Sequence, residues 1–295
     1  MAVRLLSQSV AAALALPLVW LPRASADSNQ LKAVVFEDVK PLYQKTDSGY
    51  EGLGVEILEQ IRTQASRGEI HYRVAKSVKD GLNAVITGQV DIACGVAFTW
   101  GRSSQLSYTL PFGLGGTRLL TTTTTVDGTA SSLNEETVGV VKDSASNKIL
   151  KSVVPGVTLK VFDTPGQALA AFNTGAVQTL AGHPLWLAAN SNPHERVLLP
   201  LRPYDRSGRS GRSGIGCIVN QNNGKLLSDA NRAIGQMMQA YLNGDAGTRH
   251  MVNRWIGPGT NVGMKQAAIR SIFSSILSIT GEFSTADALP HYQNF

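Results

Sequence analysis

Cysteine is nearly missing from this sequence, with two among 295 residues. Two thiols exclude a disulfide-rich scaffold and a zinc site built from CxxC pairs. Charged side chains are also sparse, at 16% of residues, while 43% are hydrophobic. A disordered chain has the opposite balance, so the chain as a whole is expected to fold around a core. No long apolar run follows the N-terminal region: Ile269–Ile279 is too short to span a bilayer and carries Arg270 and four serines. Catalytic signatures are absent as well. The histidines (His71, His183, His194, His250 and His291) form no HExxH, and no Gly-x-Ser-x-Gly occurs. Nothing therefore assembles a nucleophile with a base and an orienting group. No catalytic residue, metal or cofactor is expected.

The N-terminus predicts a compartment. Arg4 is followed by an apolar stretch from Val10 to Leu21, interrupted by Pro17, and then by Ala24-Ser25-Ala26. A short apolar region ending in Ala-x-Ala is what a signal peptidase cuts. Residues 1–26 are thus read as a signal peptide, cleaved near Ala26, with no cysteine nearby for a lipid anchor. Two of the formal +6 charges sit in this segment, as Arg4 and Arg23, leaving a mild +4 on the exported chain. That balance suits an anionic small molecule or an acidic surface better than nucleic acid, whose binders cluster basic residues on one face.

Two segments align without gaps: Leu82-Asn83-Ala84-Val85-Ile86-Thr87-Gly88-Gln89-Val90 and Leu169-Ala170-Ala171-Phe172-Asn173-Thr174-Gly175-Ala176-Val177. Each reads as a helix end, a glycine in the left-handed conformation, and a strand. Around them strands and helices alternate. Leu31–Phe36, Ile70–Val74 and Val90–Gly95 read as strands, with helices over Gly54–Ala65 and Val78–Thr87. The order repeats with strands at Thr137–Val141, Thr158–Phe162 and Val177–Ala181 and helices at Ser146–Val153 and Pro165–Thr174. Such alternation predicts two similar α/β lobes with mainly parallel sheets. Leu119–Val126, rich in threonine, suits a strand crossing between lobes, with a polar linker as the alternative. Arg206–Gly214 repeats Arg-Ser-Gly three times and reads as a mobile basic loop. A strand (Ile215–Val219), two helices (Lys225–Leu242 and Gly247–Trp255) and an amphipathic stretch (Met264–Ile279) complete the chain.

The densest chemical signal is Asp91-Ile92-Ala93-Cys94-Gly95-Val96-Ala97-Phe98-Thr99-Trp100-Gly101-Arg102. A buried strand ends at a glycine and an arginine follows at a helix start. A guanidinium fork and free backbone N–H groups make a carboxylate site, and open α/β sheets bind ligands past the C-terminal ends of their strands. These residues resemble the Gly-x-Thr-x-Thr-x-x-Arg motif of the family 3 extracellular solute-binding proteins of the polar amino acid ABC-transporter type. Tyr108-Thr109-Leu110-Pro111-Phe112 continues that motif, and Gly52-Leu53-Gly54-Val55-Glu56-Ile57, Gly88-Gln89-Val90-Asp91 and Val138-Gly139-Val140-Val141-Lys142-Asp143-Ser144 are similar to others. Gly214-Ile215-Gly216 and Trp255-Ile256-Gly257 match its closing strand and helix, so the resemblance runs from about Leu31 to Gly257.

The resemblance implies a type II periplasmic-binding-protein fold, with two mixed, mainly parallel sheets joined by two crossover strands. Lobe one would hold residues 27–121 and 216–258, lobe two residues 122–215, and 259–295 would be an extension without assigned role. It implies a periplasmic, monomeric protein that captures an amino acid or related carboxylate and delivers it to an inner-membrane ABC permease. The alternatives are a ligand sensor for a membrane receptor and a dehydratase-like enzyme on the same fold. Arg102 would clamp the carboxylate, helped by backbone at Gly95 and Ala97 and by Ser144 of the other lobe. Three positions depart from the family. Ala97 replaces a threonine, Leu53 an aromatic that packs on the ligand, and His183 the aspartate that accepts an ammonium. Glu37 or Asp38, after the first strand, would then compensate, or the ligand would lack a free amine and bind more tightly as His183 becomes protonated. The fold also sets Cys94 beside Cys217. A disulfide and two buried free thiols are the alternatives, and the free thiols are the preferred expectation.

Overall fold

The computed structural model describes residues 29–192, 196–201 and 214–284. The expected signal peptide (1–26), residues 206–213 of the Arg-Ser-Gly segment, and 285–295 lie outside these residues. The first third of the chain forms β1 (Leu31–Val35), β2 (Gln44–Thr46), β3 (Gly49–Glu51), α1 (Leu53–Gln64), β4 (Ile70–Val74), α2 (Val78–Ile86) and β5 (Ile92–Ala97). Next come α3 (Trp100–Ser103), β6 (Leu106–Tyr108), β7 (Gly113–Leu114), β8 (Arg118–Thr121), β9 (Thr137–Val141), α4 (Ala145–Val153) and β10 (Thr158–Phe162). The rest forms α5 (Pro165–Asn173), β11 (Thr179–Gly182), α6 (Pro184–Asn190), β12 (Val197–Pro200), β13 (Gly214–Asn220), α7 (Gly224–Asn243), α8 (Ala246–Ile256) and α9 (Gln266–Ser284).

The aligned segments fold alike for the same local reasons. Ser77 caps α2 by accepting from the Asp80 N–H, and Thr164 caps α5 by accepting from the Gln167 N–H, with Pro165 in its first turn. Both helices stop at a glycine in the left-handed region, Gly88 at φ 72° and Gly175 at φ 74°. A side chain there would strain the backbone. The repeat extends to sheet order. The first sheet runs β4–β1–β5–β13–β6, with β7 also on β13, and the second runs β10–β9–β11–β8–β12. In each, the first three strands are parallel, because helices return the chain to the same end between them. The next two, β13 and β6 or β8 and β12, are antiparallel. The result is a two-lobed, mixed α/β fold.

The threonine-rich stretch is corrected in detail. β8 already pairs within the second sheet, so the change of lobe precedes Arg118 instead of following residue 121. Only its first part is strand. Leu119 and Leu120 are buried, and the Thr121 hydroxyl meets that of Thr179 at 2.9 Å. Thr122 still donates its N–H to the Gln178 carbonyl, but beyond it local bonds appear: Thr121 Oγ1 accepts from the Thr123 N–H, and the Thr123 and Thr125 hydroxyls lie 2.7 Å apart. Such bonds compete with a sheet ladder.

Within the C-terminal extension, α9 packs into the core of lobe one. Ile269, Phe273 and Ile276 of α9 are buried in the same cluster as Tyr241 of α7 and Leu58 of α1. The Phe273 ring stands edge-on to Tyr241 with centroids 5.3 Å apart, and Arg270 Nη1 donates to the Leu242 carbonyl at the end of α7. Truncating a buried phenylalanine costs about 3–5 kcal/mol. Phe273→Ala should therefore destabilise the fold by that amount in urea unfolding; an unchanged midpoint would show that α9 does not dock.

Cys94 and Cys217 are joined by a disulfide, against the preferred expectation of free thiols. Antiparallel pairing of β5 with β13 sets the two residues opposite each other, both at 0% exposure. That register joins positions separated by 123 residues in the chain. Thiol titration of the unfolded, unreduced protein should find no free thiol. The Cys94→Ala, Cys217→Ala double variant should be less stable by about 2–5 kcal/mol.

Candidate ligand-binding cleft

The C-terminal ends of the parallel strands of both sheets face one cleft of about 410 Å³. Lobe one contributes Phe36, Glu37 and Asp38 after β1, Lys76 and Ser77 after β4, and Gly95 and Ala97 of β5. Lobe two contributes Ser144 after β9, Asp163 and Thr164 after β10, and Gly182 and His183 at the end of β11. Arg102 and Trp186 complete the wall. Most of the remaining lining is apolar, with Leu42, Val78, Leu82 and Ile149 among its members.

Of the residues singled out in the sequence, Glu37, Asp38, Gly95, Ala97, Arg102, Ser144 and His183 line this cleft, and Leu53 does not. Leu53 opens α1, its N–H donates to the Pro41 carbonyl at 2.8 Å, and its side chain is buried in the lobe-one core. The cause is local. Gly52 lies at φ 137° against Leu42, where an added Cβ would sit 2.2 Å from the Leu42 carbonyl oxygen, so the chain turns inward. Leu42 and Tyr43 lie at the cleft instead, the Tyr43 hydroxyl donating to the Cys94 carbonyl.

Arg102 is 6% exposed. Its Nη1 donates to the Ala97 carbonyl at 3.0 Å, and its Nη2 donates across the cleft to the Asp143 carbonyl of lobe two at 3.1 Å. Its Nε is buried without a partner. Burial pulls its pKa down, opposed by Tyr108 and by the Asp143 charge. Yet among the described residues no carboxylate forms an ion pair with it. A buried cation held by carbonyls still calls for a counter-charge.

Ser144 caps α4, its Oγ accepting from the Asn147 N–H at 3.1 Å. Its hydroxyl hydrogen is left for another acceptor. Glu37 accepts from the Tyr50 hydroxyl, and Asp38, at φ 60°, offers its backbone carbonyl to the indole of Trp186. His183 precedes α6, where its Nδ1 accepts from the Leu185 N–H at 3.3 Å. Its Nε2 is buried and has no partner. Burial pulls its pKa down to about 4. Any tightening of ligand binding through a His183 titration is thereby moved to lower pH, and at neutral pH the ring is uncharged.

Sequence reasoning missed Trp186, Lys76 and Phe36. Trp186 is 4% exposed, and its Nε1 reaches 3.0 Å across the cleft to Asp38. A cue was Gly182, where a Cβ would lie 2.6 Å from the indole. Phe36 and Lys76 follow strands already legible in the sequence, so the strand-end rule applied to every strand would have found them.

A cleft between two α/β lobes, at the ends of their parallel strands, defines the type II periplasmic-binding-protein fold. The chain belongs to the bacterial extracellular solute-binding proteins, family 3, whose model matches residues 31–257. Among solved structures it is similar to an ancestral arginine-binding protein bound to glutamine, at TM-score 0.65 and 19% identity, over 78% of this chain and 98% of that one. It is also similar to an amino acid ABC transporter substrate-binding protein from Streptococcus pneumoniae bound to L-arginine. That match has TM-score 0.66 and 16% identity, over 77% of this chain and 94% of the other. An ancestral amino acid-binding protein described as a precursor of cyclohexadienyl dehydratase matches at TM-score 0.66 and 17% identity, over 78% and 96%. No curated protein matches the sequence.

The neutral cap at His183 has a stability signature. Its ordinary pKa is 6.5 and its folded value about 4. Between those values the unfolded chain binds the proton and the folded one does not, so this contribution is complete above 6.5 and lost as pH falls toward 4. Each unit is worth ~1.4 kcal/mol. His183→Asn keeps a cap acceptor without a titrating ring, and should flatten the loss of stability across this window. Parallel curves for variant and wild type would contradict it.

Proposed function

We propose that this chain captures a small carboxylate-bearing ligand between its lobes, in the periplasm, and delivers it to an ABC importer. The observation that carries the reading is Arg102: a buried guanidinium that spans the cleft and pairs with no carboxylate among the described residues. An anionic ligand supplies the missing charge, with the Ser144 hydroxyl and the Arg102 Nε as further donors. Membership of an extracellular family and the leader-like residues 1–26 support export. Because Arg102 and Trp186 bond across the cleft, ligand binding and lobe closure are coupled, and a ligand that touches both lobes shifts the balance toward the closed form. The closed, monomeric form is what a permease would receive.

A thermal-shift screen of the mature chain against amino acids and small carboxylates tests capture, since a ligand specific to the folded state raises the melting temperature. For any hit, Arg102→Ala should weaken binding by about 2–5 kcal/mol in calorimetry, because a ligand charge is left without its partner. Unchanged affinity in a variant that still folds would remove Arg102 from the site. Loss of uptake of that ligand by cells lacking the chain tests delivery.

A further inference from the structure

His183 offers the cleft one kind of chemistry. The Leu185 N–H can only donate, so the Nδ1 that receives it carries no hydrogen. In a neutral ring the hydrogen then sits on Nε2, which makes Nε2 a donor. That atom is buried, has no partner, and belongs to a side chain lining the cleft. A buried donor without an acceptor is costly, and an ammonium group, itself only a donor, cannot relieve it. Arg102 Nε, also buried and unpartnered in the same cleft, is a second donor with the same requirement. Much of the remaining wall is hydrocarbon, with Phe36, Leu42, Val78 and Ile149 on it. Carboxylates also line the cleft, as Glu37 and Asp38 of lobe one and Asp163 of lobe two, but Glu37 already accepts from Tyr50 and Asp163 pairs with Lys142.

Resting on the carboxylate-binding reading above, we propose that the ligand presents a hydrogen-bond acceptor to His183 Nε2. The favoured class is small 2-oxo acids with an apolar body, ahead of the amino acids of the same skeleton. Arg102 takes the carboxylate and His183 Nε2–H donates to the adjacent keto oxygen. The low pKa of His183 keeps this donor arrangement in place at neutral pH. The ring therefore sorts ligands by the group beside the carboxylate, while Arg102 sets the requirement for the carboxylate itself.

The experiment uses the mature full chain and matched pairs: 4-methyl-2-oxopentanoate with L-leucine, and phenylpyruvate with L-phenylalanine. Calorimetry should give the 2-oxo acid at least about ten-fold tighter binding in at least one pair. Two variants keep the cap of α6, so both are expected to fold, which thermal unfolding checks. His183→Asn retains an amide donor and should preserve the order within the pair. His183→Asp replaces the donor by a carboxylate and should reverse it. A third readout is independent of any ligand: in ¹⁵N-histidine NMR the His183 signal, assigned by its loss in His183→Asn, should show a hydrogen on Nε2 and none on Nδ1. Tighter binding of the amino acid in both pairs overturns the 2-oxo preference and leaves the carboxylate site standing. An Nδ1–H tautomer, or His183→Asp leaving the order unchanged, also overturns it. If no member of either pair binds, the 2-oxo class falls; if the wider screen of amino acids and carboxylates is also silent, the carboxylate-binding reading falls with it.

Discussion

The guanidinium of Arg102 is the interaction on which the cleft depends. It is buried in the short helix that follows β5 and bonds to a backbone carbonyl of each lobe. Burying a charge costs several kcal/mol unless it is paired, and carbonyl oxygens offset only part of that. The surrounding structure therefore holds an electrostatic deficit at the place where the two lobes meet. An anionic ligand of the kind proposed would relieve that deficit, and the bond to Asp143 would tie its occupancy to the relative position of the lobes. The Trp186–Asp38 bond adds a second cross-cleft tie, made by an indole that approaches closely because residue 182 is glycine.

Each lobe meets this shared region with the same device. A helix-glycine-strand unit leads to β5 in one lobe and to β11 in the other, and both strands end at the cleft. The segments beyond the two strands differ, and the difference decides the chemistry. After β5 come Thr99 and the short α3 that carries Arg102. After β11 comes His183, bound as a cap to the start of α6. One lobe thus offers a permanent cation and the other a neutral imidazole.

Lobe one is the more reinforced of the two. The disulfide locks β5, the strand behind Gly95 and Ala97, to β13, while α9 lengthens the helical layer formed by α1 and α7. Both features stiffen the lobe that holds Arg102. The second lobe has separate, smaller clusters around Leu133 and Val140 and around Phe172 and Trp186.

By itself the sequence determined those features that short-range physics controls. Periodicity, capping residues and the paired glycines located the longer helices and the parallel strands, but not the short β2, β3, β6, β7 and β12 or α6, and the aligned segments announced two like lobes. The strand-Gly-x-Ala-x-Thr-x-x-Arg order placed Gly95, Ala97 and Arg102 at a strand end, where the cleft lies. Tertiary structure decided the features that depend on distant partners. Leu53 looked like a wall residue and is core, because Gly52 folds against Leu42. Cys94 and Cys217 looked like two buried thiols and are bonded, because antiparallel pairing brings them into register. The threonine run looked like the crossing between lobes and lies after it, because β8 already pairs with β11. The hydrogen-bonding sense of His183 was likewise invisible, since an imidazole can donate or accept at either nitrogen. The Leu185 N–H, presented by the start of α6, is what commits Nδ1 to accepting and leaves Nε2 to donate.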